Sequence, residues 1–160
     1  VLTIHAADAL RRTWESEPVA DGAVAVEGER IAAVGTRAEL TARYPTARVR
    51  HWSGTLGPGL THEGPLPDAP SPRERVHEVL KRGAVAVTAA HTTPELRTAA
   101  ARTGVTVLPA PRPPAPLTAG HRADLAVFAN VTNATNVANV TYENPARATI
   151  CAGRLVHRRT

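Results

Sequence analysis

Two stretches patterned as β-hairpins stand at opposite ends of this 160-residue chain, and neither can bury its apolar face alone. Near the front, Ala23 to Glu27 and Arg30 to Val34 flank Gly28-Glu29 and carry Val24, Val26, Ile31 and Val34. Near the back, Ala148 to Cys151 and Arg154 to His157 flank a turn at Ala152-Gly153. Leu2 to Ala6, Arg48 to Trp52 and Asp124 to Phe128 read as further strands. An isolated hairpin is marginal in water, so the two ends are expected to pair into one β-sandwich. Between the first strands, Thr36 to Tyr44 has helical spacing and Pro45 stops it.

The middle follows a different rule. Ser71 can cap a helix, Pro72 fits its first turn, and Glu74 can reach back to the cap. Val76, Val79 and Leu80 form its apolar stripe, and Gly83 ends it. Ala84 to Thr88 follows as a buried strand. Thr93-Pro94-Glu95 opens a second helix with Leu96, Ala99 and Ala100 inward, Gly104 closes it, and Val105 to Leu108 is the next strand. This order predicts two parallel strands joined by a right-handed crossover. Pro109 to Pro116 is extended, because proline fixes φ and removes amide donors. Asn130 to Thr141 is a biased tract with three Asn-x-Ser/Thr patterns, at Asn130, Asn133 and Asn139, and reads as a polar surface loop. The expectation is a mixed α/β fold forming a single domain over 1–160. Arms 1–62 and 117–158 make the composite β-sandwich. They pack on a helix–strand–helix–strand insert at 67–108, joined by a Pro-rich connector at 109–116.

Charge and composition exclude several partners. The net charge is +5, but Arg11, Arg30, Arg48, Arg73, Arg97, Arg122 and Arg147 fall in separate elements. The one dense group is Arg154, His157, Arg158 and Arg159. Two Trp, two Tyr and one Phe leave few platforms for stacking bases, so no nucleic acid partner is expected. No apolar run approaches the roughly 20 residues that span a bilayer. The first residues lack the basic and apolar regions of a secretory signal. With a single cysteine, Cys151, no intrachain disulfide can form, and a cytoplasmic setting is expected.

Both arms resemble those of imidazolonepropionase-like amidohydrolases. The front motif is Asp21-Gly22-Ala-Val-Ala-Val-Glu-Gly28-Glu-Arg30-Ile-Ala-Ala-Val-Gly35, followed by Pro58-Gly59-Leu60. The back motif is Ala119-Gly120-His-Arg-Ala123-Asp124-Leu-Ala-Val-Phe128, followed by Asn144-Pro145 and Ala152-Gly153. The resemblance implies a composite sandwich beside a metal-bearing (β/α)8 barrel. Such a barrel needs roughly 250 residues, and residues 67–116 cannot supply it. In the family, a His-x-His pair follows the Pro-Gly-Leu turn and binds a metal. Here the matching positions are Gly64 and Leu66, so no metal and no cofactor are expected.

A reduced site remains open to the chain. His62 and Glu63 lie between Pro58-Gly59 and Gly64-Pro65, and His91 follows the strand Ala84 to Thr88. Ligands gather at the carboxyl ends of strands in α/β layers, so His62, Glu63 and His91 are the candidate catalytic residues. A carboxylate beside an imidazole suits general acid–base chemistry on a small molecule. One alternative is a hydrolase of carbon–nitrogen bonds, as the family implies, with a metal on His62, His91 and Glu63 or His77. The other is a non-catalytic binding or accessory domain. Cys151 has no basic neighbour in sequence and is expected to be a buried thiol.

Overall fold

The computed structural model describes residues 2–129 and 146–159; the Asn130–Thr141 tract and its three patterns lie outside the described residues. The front arm supplies β1 (Leu2–Leu10), β2 (Val19–Ala20), β3 (Gly22–Glu27), β4 (Arg30–Thr36), α1 (Arg37–Arg43) and β5 (Arg48–Pro58). The middle supplies β6 (Leu60–His62), α2 (Pro72–Lys81), β7 (Ala84–Thr88), a 3-10 turn (Ala89–His91), α3 (Pro94–Thr103) and β8 (Thr106–Leu108). The back arm supplies β9 (Leu125–Phe128), β10 (Ala148–Cys151) and β11 (Arg154–Arg158). The class is mixed α/β, as the patterning implies.

The two arms share one eight-stranded sheet in the order β11-β10-β9-β5-β1-β3-β4, with β2 beside β1. Most neighbours are antiparallel, but β1 and β5 run parallel, with Ile4 opposite Val49 and Leu10 opposite Leu56. The arms join where β5 meets β9, with Leu56 opposite Val127. The sheet then curls on itself. Its outer strand β4 touches the segment leading into β9, through an Arg30–Arg122 bridge and the bond from Ile31 N to the His121 carbonyl, 2.9 Å. Inside the curl lies one core drawn from both arms, including Leu10, Val24, Leu56, Leu125, Val127 and Ile150. Fully burying an aliphatic side chain of this size contributes about 1.5–3 kcal/mol, which neither hairpin could collect alone.

Both tryptophans of this layer find polar partners. Trp52 donates its indole N–H to His5 Nδ1 at 3.2 Å, which fixes the histidine proton on Nε2. Burial, followed by the charge of Arg50, pulls the His5 pKa down to about 4. Trp14 donates to the Pro58 carbonyl at 2.8 Å and meets Phe128 edge-on at 5.5 Å.

The middle folds as its caps dictate. Ser71 Oγ accepts from Glu74 N, Thr93 Oγ1 accepts from Leu96 N, and Gly104 closes α3 at φ 87°. Thr36 and Glu39 add a reciprocal capping box that starts α1. The small sheet has three parallel strands, β6-β7-β8, where the sequence suggested two. The extra strand comes from Leu60-Thr61-His62, which is too short to show a period. Val76, Val79, Leu80 and Leu96 pack with Val85 and Val87 into a second core. Strand β10 ties the two layers together. Thr149 Oγ1 donates to the Leu80 carbonyl at 2.7 Å, and Cys151 joins the second core. Among the described residues, no helix is long and apolar enough to cross a membrane.

Candidate functional site

His62 ends β6 opposite Val87 of β7, so it lies at the same strand ends as the turn holding His91. The His62 ring Nε2 stands 2.9 Å from the Pro65 carbonyl. A carbonyl only accepts, so Nε2 carries the proton and neutral His62 has a bare Nδ1. Glu63 and His91 are both exposed. No hydrogen bond or ion pair joins His62, Glu63 and His91 to one another. His77 is directed elsewhere, meeting His157 edge-on at 6.4 Å. Among the described residues, no three His, Cys, Asp or Glu side chains group as metal ligands. A hydrolytic zinc takes three protein ligands. With His77 on another face and no third ligand grouped beside His62 among the described residues, these residues do not fit the family's metal.

The structure instead opens a cavity of about 590 Å3 where the two sheets meet. Its floor is the face of the small sheet that the helices leave bare. Thr61, Ala86 and Thr106 are register partners across β6, β7 and β8 and form one level of that floor. Gly59 makes the approach possible, since a Cβ there would lie 2.6 Å from Val85 Cγ2. The roof is the proline run, from Arg112 to Leu117. Its end is pinned by the bond from Leu117 N to the Arg12 carbonyl, 2.9 Å. The side wall comes from Arg30, His121, Arg122 and Asp124.

That wall is stapled. Asp124 Oδ1 accepts from Arg122 Nε at 2.9 Å and from Ala152 N at 2.9 Å. Arg122 Nη2 donates to the Gly104 carbonyl and stands 3.2 Å from Cys151 Sγ. Burial opposes the Arg122 charge, but the bond and charge of Asp124 outweigh it and raise its pKa. Burial, then Asp124, push the Cys151 thiol up to about 11 against the pull of Arg122. A thiol so held is no nucleophile near neutral pH.

Sequence reasoning missed this cavity. One signal was available: the two motifs that carry the family resemblance both border it. Pro58-Gly59 and Gly120 to Asp124 meet through the bond from Gly59 N to the Asp124 carbonyl, 2.9 Å.

Residues 22–47 match the model of the bacterial imidazolonepropionase-like composite domain. The fold is similar to E. coli guanine deaminase, at 15% identity and a TM-score of 0.52, over 66% of this chain and 35% of that one. Aspergillus niger ochratoxinase matches at 19% identity and a TM-score of 0.46, over 67% of this chain and 30% of that one. Helicobacter pylori aminofutalosine deaminase matches at 18% identity and a TM-score of 0.44, over 54% and 27%. The chain thus spans about a third of the length of these solved proteins. No curated protein sequence matches it. Residues 22–47 thus resemble the imidazolonepropionase-like composite domain, and the fold is similar to that of E. coli guanine deaminase across 66% of this chain.

Proposed function

We propose that this amidohydrolase-like domain binds a small molecule in the cavity between its two sheets. The observation that carries this reading is the cavity itself. A volume of about 590 Å3 is in the range of small-molecule sites, and its lining mixes apolar groups with convergent polar side chains. The test is a metabolite screen by thermal shift, repeated on Ala86→Leu, which places a larger side chain on the cavity floor. A ligand that stabilises the parent should lose its effect in Ala86→Leu, while the variant's own unfolding stays cooperative. Equal stabilisation of both proteins would place the ligand elsewhere.

A second reading has one observation in its favour. The His62 tautomer leaves Nδ1 free to take a proton, and Glu63 adjoins it in sequence. If a turnover of a small molecule is found, Glu63→Gln and His62→Ala should each lower it about 10²- to 10⁴-fold with unchanged melting. Unaltered turnover in both variants would remove this segment from the chemistry and leave binding as the function.

A further inference from the structure

We propose that the cavity takes a small organic anion, with a carboxylate or phosphate head recognised by Arg30, Arg112 and His121 and an apolar body between the sheet floor and the proline roof. This rests on reading the cavity as a ligand site. The charges lining it do not balance. Asp124 is the one acid on its wall, and Arg122 already neutralises it. Arg30 and Arg112 remain as two positive charges with no hydrogen-bond or ion-pair partner among the described residues. His121 adds a ring donor, likewise without a partner there.

The three are presented by backbone of little freedom. Arg30 is the bridge partner of Arg122, so its Cβ is held beside the stapled wall. His121 is locked by the bond from Ile31 N to its carbonyl and by Gly120 N to the Ile31 carbonyl, 2.8 Å. Arg112 stands between Pro111 and Pro113, whose rings fix φ on either side of it. Guanidinium forks match the oxygens of a carboxylate or phosphate two at a time, and an anion between two such groups relieves their mutual repulsion. Around these heads, Pro113, Pro114 and Pro116 of the roof offer accessible hydrocarbon and no further charge. An inorganic ion alone would leave that surface in water.

The test is a titration of the labelled chain at 0.15 M salt with benzoate, phenyl phosphate and the neutral benzamide, followed by amide NMR. Benzoate or phenyl phosphate should move the amides of Thr61, Ala86 and Thr106, and benzamide should bind at least about tenfold more weakly. The double variant Arg30→Gln, Arg112→Gln should weaken the anion about ten- to a hundredfold, since each charge-assisted bond is strong. Arg158→Ala is the control, because Arg158 lies over Trp52 on another cationic surface. It should change nothing. Benzamide binding as tightly as benzoate at the same amides would overturn the anion assignment and keep the cavity as a ligand site. Shifts confined to His51 and Trp52 and lost in Arg158→Ala would overturn the assignment as general surface attraction. No shift with any probe would overturn it and count against the cavity reading as well.

Discussion

The sheet built from the two arms and the small sheet of the insert are covered in opposite ways. In the large sheet, β9 and β10 are buried along their whole length, with the shared core on one side and the second layer on the other. In the small sheet, only the central strand β7 is buried throughout; β6 and most of β8 are half-exposed. Helices cover one of its faces, and the other floors the cavity. The difference separates two tasks. Closure of the large sheet holds the chain together, whereas the incomplete cover of the small one leaves the cavity open.

The strongest way to break this comparison is to remove Arg147 to Thr160. That takes away β10 and β11, and with them Ile150 and the Thr149 link to α2. The truncated chain should lose its cooperative thermal transition by circular dichroism. A transition like that of the parent would mean that the front arm closes without the back one.

Acid should act next, and on the large sheet first. His5 has a folded pKa of about 4, below its ordinary value of about 6.5, so the unfolded chain binds more protons between those limits. Its contribution is present above pH about 6.5 and is lost as pH falls towards 4, a drop of about 3 kcal/mol. His157 is lowered too, by burial against the opposing Ala146 carbonyl bond, and adds in the same direction. Amides of β1 and β5 should weaken before those of α3, and His5→Asn should flatten the acid limb. An equal pH slope in the variant would remove His5 from that account.

The smallest effect sharpens the link between the layers. Thr149→Val deletes the 2.7 Å bond to the Leu80 carbonyl, which keeps its bond from Gly83 N. The cost should be about 1 kcal/mol. Hydrogen exchange should rise more in α2 than in β3. Uniform exchange across both layers would show that β10 couples them by packing alone.

The fold was legible wherever local chemistry decides it. Ser71-Pro72, Thr93-Pro94 and Gly104 mark helix ends without reference to anything distant. Val24, Ile31 and Ile150 need a buried face, and one sheet from both arms satisfies them. The third strand of the small sheet was not legible, because three residues show no period and Leu60 to His62 gain order only from β7. The cavity was least legible. Its cations come from β4, the proline roof and the loop before β9, and in sequence each reads as an isolated surface charge. Pro109 to Pro116 read correctly as stiff, but stiffness says nothing of where Arg112 is held. The segment at His62 stood out because its polar residues adjoin in sequence, and adjacency is no measure of enclosure.

The pairing of β5 with β9 also sets a timetable. On a ribosome, β5 emerges with one edge able to meet β1, while the partner for its other edge is still unmade. The whole insert must be synthesised first, on the order of ten seconds at ordinary rates. Throughout that interval Leu56 to Pro58 offer an open strand edge, which is a template for pairing with other chains. The insert is then more than a spacer. The caps of α2 and α3 are local to the insert, and order in it before β9 arrives would shorten the path that β9 must search.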